Sequence, residues 1–151
     1  MSEPTAAVRR AAFAETVTRD TGIDEAMIER LIRAFYADIR ADPMLSPIFA
    51  AVIDDWEPHL AQMFAFWSSV MLMSGRYHGQ PMVKHVPLPI GGEHFDRWLE
   101  LFERAARRVC PPAAAEAFTE RARSIGQSLE LGIAAQRGQL LGLGDRLATP
   151  A

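Results

Sequence analysis

Residues 27–43 read Met-Ile-Glu-Arg-Leu-Ile-Arg-Ala-Phe-Tyr-Ala-Asp-Ile-Arg-Ala-Asp-Pro, and this stretch decides the fold class. Its apolar residues Met27, Ile28, Leu31, Ile32, Phe35, Tyr36 and Ile39 recur at i, i+3 and i+4. That spacing places them on one face of an α-helix and predicts that the face is buried. Asp42-Pro43 ends the helix, because proline cannot continue the hydrogen-bond ladder. Thr21, with Asp24 three residues on, reads as its start, a variant of the capping box.

Outward from this helix, the same punctuation marks the rest of the chain. Residues 43–53, with Pro43, Pro47 and Phe49, read as a compact turn. Asp54 or Asp55 caps a helix from Trp56 to about Ser74, with Pro58 in its first turn, where a missing N–H does no harm. Gly75 stops that helix, and residues 76–80 read as a turn. Pro81 to His85 leaves room only for a very short helix before Pro87 and Pro89 break the chain again. Two more helices are predicted, from Glu93 to about Val109 and from Ala113 to about Ala135, separated by Pro111-Pro112. No segment alternates apolar and polar residues long enough to argue a strand. The predicted class is all-α, with four main helices and irregular connectors. The expected domain is residues 21–136. Residues 1–20 are expected to be an N-terminal extension with a helical lead-in. Residues 137–151, Gly-bearing and poorly patterned, are expected to be a flexible, frayed tail.

Composition excludes several function classes. A length of 151 residues suits one domain with a sizeable core. Hydrophobic residues at 49% and charged residues at 23% describe a soluble globular chain. The formal net charge of −3 gives no basis for nucleic-acid binding. Arg107 and Arg108 share a helix with Glu100 and Glu103 and read as a solvated mixed-charge face. Cys110 is the only cysteine, so an internal disulfide and a thiolate zinc cluster are both excluded. Its place at a helix junction reads as an inert thiol. The N-terminus has no apolar stretch of signal-peptide length, and no run is long enough to span a bilayer. A cytoplasmic location without membrane contact is the expectation.

The chemistry-bearing residues are few. There is no His-Glu-x-x-His, Gly-x-Ser-x-Gly, P-loop or dinucleotide fingerprint. Of the four histidines, His78 lies in an exposed turn, and His94 lies in the first turn of a helix where that turn is expected to face water. His59 shares a helix face with Met63 and Phe66, a polar group looking along an apolar wall. His85 sits between a very short helix and a Pro-rich loop, on irregular backbone able to hold a ligand. Tyr36 and Trp98, the latter beside Phe95 and Phe102, lie on inward faces. From spacing alone these two read as core residues whose O–H and N–H need partners.

Phe35-Tyr36 followed by Asp42-Pro43-x-Leu45-x-Pro47-Ile48-Phe49 resembles the second helix and following corner of the truncated, two-over-two haemoglobins. Trp56-x-x-His59, Phe66-Trp67, Tyr77-His78-Gly79-Gln80-Pro81-Met82-x-Lys84-His85 and Phe95-x-x-Trp98-Leu99-x-Leu101-Phe102 resemble the group III (P-type) branch of that family. The resemblance runs from about Thr21 to Ile133. It implies a truncated globin fold, a two-over-two helical sandwich around non-covalent haem b. Covalent c-type attachment is ruled out, since no Cys-x-x-Cys-His exists. By the same resemblance His85 is the proximal iron ligand, and Tyr36, His59 and Trp98 are the polar distal residues. Phe49 packs on the haem at the corner, Met63 is an apolar distal position, and Trp67 is the aromatic further along that helix.

The implied function is reversible binding of O2, NO, CO or a similar diatomic ligand. Nitric oxide dioxygenation or weak peroxide turnover is a possible extension. Because the chain has no flavin- or nicotinamide-binding segment, a redox cycle needs an unidentified external electron donor. The alternatives are a non-enzymatic O2 or NO sensor or store and, in another class, a haem-free helical interaction module. The expected state is a monomer. No carboxylate lies between Pro81 and Ile90, so the second nitrogen of His85 is expected to donate to a backbone carbonyl. His59 is expected either to donate to the ligand or to swing as a gate toward solvent.

Overall fold

The stripe from Met27 to Ile39 is buried along its whole length on one face of a single helix, as its period requires. In the computed structural model, which describes residues 2–150, that helix is second of seven, and no strand forms among the described residues. The order is α1 (Ala6–Thr21), α2 (Glu25–Ala41), α3 (Ser46–Val52), α4 (Trp56–Leu72), α5 (Pro81–His85), α6 (Gly92–Val109) and α7 (Pro112–Gln136). Helix α2 packs on α4 and α6 packs on α7, and the two pairs meet where α2 crosses α6. This is the two-over-two arrangement expected from the sequence. None of these helices is long and apolar enough to cross a membrane.

Several boundaries differ from the sequence expectation for local reasons. Asp24, not Thr21, caps α2: its Oδ1 accepts from the Met27 N–H at 2.9 Å. Thr21 instead closes α1, whose end is turned by Gly22 at φ 79°. The lead-in is therefore a full helix, capped by Thr5 through the Val8 N–H, yet none of its residues is buried. The turn at 43–53 contains the short helix α3, which starts with proline in its first turn. Helix α4 begins at its Asp55 cap and ends with Met73 in the left-handed region, two residues before Gly75.

The core is an aromatic column between the helix pairs. Phe102 of α6 stacks on Trp67 of α4 at 4.8 Å and meets Phe35 of α2 edge-on at 5.1 Å. Trp67 in turn meets Phe118 of α7 at 6.2 Å. Buried Ala105, Ala106, Ala114, Ala115 and Ala122 let α6 and α7 approach closely around it. A second, smaller core of Ile90, Ile133, Ala134 and Leu147 lies beneath the α5–α6 connection.

Leu147 belongs to the tail, which forms no further helix but is docked rather than frayed through Thr149. Arg146 bonds Glu130 and Asp96, each at 2.8 Å, and Leu147 N–H donates to Glu130 at 2.9 Å. The Gly92 N–H returns a bond to the Leu147 carbonyl at 2.8 Å. Gly91 leaves the room this requires, because a Cβ there would overlap Thr149. Weak patterning hid these contacts, since they consist of ion pairs and one leucine.

Asp42 ties the corner after α2 to α6. One carboxylate oxygen accepts from the Met44 and Leu45 N–H groups at 3.1 and 3.0 Å, and the other accepts from Arg97 at 2.8 Å. Burial acts to raise the Asp42 pKa. The bonds and charge of Arg97, with the Leu45 and Met44 N–H groups, outweigh it and hold the carboxyl below the usual range. A depressed folded-state pKa adds stability above the ordinary value of 3.8 that is lost as pH falls through the lower folded one. Asp42→Ala is expected to cost about 2–3 kcal/mol at neutral pH, because it strands two N–H groups and a guanidinium partner. Urea unfolding of both proteins from pH 7 to pH 2 checks this. The gap should be full at pH 7 and close at the acid end.

Candidate functional site

The site is built from two faces, a short helix carrying His85 and a ring cluster on α2, α3 and α4. Helix α5 opens on Pro81, where the fixed φ suits a first helical position. Five residues cannot sustain a helix by their own ladder, so tertiary contacts must place it. The Met82 thioether lies against Gly132 of α7 where a Cβ would overlap it. Beyond His85, the guanidinium of Arg137 donates to the carbonyls of Val86 at 3.1 Å, Ile90 at 3.0 Å and Leu88.

His85 Nδ1 lies 2.6 Å from the Pro81 carbonyl oxygen. A carbonyl only accepts, so Nδ1 carries the proton and Nε2 keeps its lone pair. The partner is a backbone carbonyl, the kind expected where no carboxylate is at hand. Burial lowers the His85 pKa. The Pro81 bond partly offsets this, and the Lys84 charge lowers it further. The ring is therefore neutral at neutral pH, the form that can ligate a metal.

On α4, His59 meets Tyr36 edge-on at 5.2 Å and Trp56 at 5.7 Å. Phe49 of α3 completes the cluster, at 5.8 Å from Tyr36 and stacked at 6.3 Å on Trp56. His59 Nε2 is buried with no hydrogen-bond partner, the only such side-chain atom among the described residues. Burial lowers its pKa, and the charges of Lys84 and His85 lower it further. Burial also pushes the Tyr36 phenol well above its ordinary range, with no hydrogen bond contributing, so it stays protonated and able to donate.

Tyr36, His59 and Phe49 thus come together in one ring cluster. Trp98 is one ring removed: it meets Phe35 at 5.8 Å, and Phe35 meets Tyr36 at 5.1 Å. Met63 is half-buried against the main core. Trp67, 2% exposed, stacks on Phe102 in the aromatic column, with no ring contact to the His59 cluster among the described residues. His78 is exposed. His94 differs from expectation: its side chain is only 14% exposed, because Nδ1 accepts from the Gly91 N–H at 3.0 Å at the start of α6. The Cys110 thiol is buried at the end of α6, and burial pushes its pKa up, away from reactivity.

Two residues of the site carried no role in the sequence analysis. Trp56 was visible only as part of the Trp56-x-x-His59 motif, yet it stacks on Phe49 and is covered by the Arg40 guanidinium at 4.7 Å. Arg137 gave no signal, being a lone cation at the end of a helix.

Known proteins share the family profile and the fold of this chain. The profile of the family described as bacterial-like globin matches residues 18–127. The chain is 34% identical over 113 residues to the group 3 truncated haemoglobin ctb of Campylobacter jejuni, covering 72% of this chain and 89% of that one. The crystal structure of the group III truncated haemoglobin from Campylobacter jejuni superposes with a TM-score of 0.68 over 71% of this chain and 88% of that one, at 34% identity. A group II truncated haemoglobin from Bacillus anthracis, at 24% identity, shares the fold with a TM-score of 0.65 over 85% of this chain and 92% of its own.

Proposed function

The chain belongs to the bacterial-like globins, in their group III truncated haemoglobin branch, and from that premise we propose that His85 holds the iron of haem b in a reversible diatomic-ligand site. The observation that carries this reading is the His85–Pro81 bond, which commits Nδ1 and leaves a neutral Nε2 free, and the orphaned Nε2 of His59 supports it. Two imidazole nitrogens fall short of the four donors of a protein-only metal centre. They suit a metal that arrives with a planar ring of its own, edged by Phe49 and Met63. We extend the cofactor wall to Trp67 through its stack on Phe102.

When bound through His85, haem would supply an iron able to take up a small ligand. The residues around it set which ligand is favoured. The Tyr36 phenol is held un-ionised and offers a donor. The Trp98 indole can only donate. Two donors favour a polar, electron-drawing ligand such as O2 over CO and slow its departure. The Pro81 carbonyl polarises the His85 imidazole less than a carboxylate would, which favours ligand binding over peroxide cleavage. The chain works as a cytoplasmic monomer, and with electrons from a separate reductase it turns NO over with O2.

Haem binding is tested by replacing the two histidines in turn. His85→Ala should lose the Soret band of the purified protein, and His94→Ala should keep it. The opposite pattern would make His94 the ligand.

Tyr36→Phe and Trp98→Phe should each speed O2 dissociation. A hydrogen bond to a partly charged acceptor is worth about 1.5–3 kcal/mol, which corresponds to roughly tenfold or more. Stopped-flow displacement by CO measures it, and unchanged rates in both variants would reduce these residues to core packing.

His59 is read as a gate, because Tyr36 and Trp98 are already read as donors and its buried Nε2 is bound to no protein partner. His59→Ala should change ligand association by flash photolysis more than it changes dissociation. If O2 leaves far faster while association stays the same, His59 is a donor and no gate exists.

A further inference from the structure

Two segments outside the matched family region, the end of α7 and the tail, reach the backbone that carries His85. The family profile ends at residue 127, whereas Gly132, Arg137 and Leu147 all follow it. Residues 86–90 have two prolines, Pro87 and Pro89, which offer no N–H for a ladder. Their carbonyls therefore need donors from elsewhere. The Leu88 carbonyl takes one bond from the Ile90 N–H at 2.9 Å, and Arg137 collects Val86, Leu88 and Ile90 together. Its own backbone is fixed, since its N–H completes the α7 ladder on the Ile133 carbonyl at 3.0 Å.

We propose that Arg137 is a positioning residue for the proximal ligand, fixing the backbone that follows His85 so that the imidazole meets the iron at one angle and distance. The proposal rests on the assignment of His85 to the iron. The contacts act from both ends of the short helix. Met82, three residues before His85, is seated on Gly132, and the segment after His85 is tied to Arg137. The planar guanidinium fork suits this task because several N–H groups leave it in fixed directions, and a triad of carbonyls can satisfy them at once. The tail keeps the fork in place. Leu147 is 2% exposed in the same small core as Ile90 and Ile133, with Val86 and Leu88 packed against it. Arg146 on Glu130 and Asp96 holds that leucine down.

The test uses the full chain, supplied with haem, in four forms: unchanged, Arg137→Met, Arg137→Lys and His85→Gly. Three quantities are read: the iron–histidine stretching band of the ferrous protein by resonance Raman, haem transfer to an excess of apomyoglobin, and the thermal midpoint. Arg137→Met keeps the aliphatic bulk and removes the donors. It should shift or broaden the iron–histidine band and speed haem loss by about tenfold or more. Arg137→Lys restores part of the donor set and should lie between the unchanged protein and Arg137→Met in both. An Arg137→Met protein with an unaltered band overturns the proposal, even if its thermal midpoint falls, because arginine would then serve the fold alone. His85→Gly separates the two layers: a band that survives in that variant overturns the ligand assignment itself, independently of Arg137.

Discussion

An imidazole can offer one defined lone pair only if its other nitrogen is already committed, and the 2.6 Å contact of His85 Nδ1 with the Pro81 carbonyl makes that commitment. The acceptor lies four residues back on the same five-residue helix, so orientation of the ring and integrity of α5 are one property. A helix this short has no stability to lend. The bond is therefore only as good as the surfaces that hold α5, and those come from α7 and the segment after it. Much of the architecture can be understood as support for that single contact: α6 and α7 close on their alanines, and α7 carries the groove for Met82.

The opposite wall carries a cost that the core has to absorb. A buried imidazole nitrogen without a partner is unfavourable in a protein interior. It persists because the Tyr36 and Trp56 rings pack edge-on around His59, with Phe49 against both of them. Asp42 and Arg97 keep the corner that delivers Phe49 from drifting. Polar groups left unsatisfied amid rigid surroundings are what a receptor for a small polar guest needs, since the guest finds donors already oriented.

The sequence disclosed these parts unevenly. Helix α2 was legible because seven apolar residues keep one period and all face the core. The helices at 56–72, 81–85, 92–109 and 112–136 were legible from proline and aspartate punctuation. Helix α3 was not, since its seven residues, with Pro47 in the first turn, give too short a window for a period. Thr21 and Asp24 are both good capping residues, and only the Met27 N–H decides between them. For the site, periodicity placed Tyr36 and Trp98 inward but said nothing about ligands, and His85 was distinguished by family likeness. Trp56 and Arg137 escaped because their roles are long-range: a stack across two helices, and a cation meeting carbonyls about fifty residues earlier in the chain. The tail escaped for the same reason, its anchors being charges that carry no period.

Residues 137–149 are synthesised after every other described element, and Leu147 seals the core beneath the loop that follows His85. During translation, α2 to α6 can emerge and begin to pack while that core is still open on one side. The wall that carries His85 is complete only once Arg146 has found Glu130. A chain cut short before Leu147 would present the histidine on a wall that had not yet set.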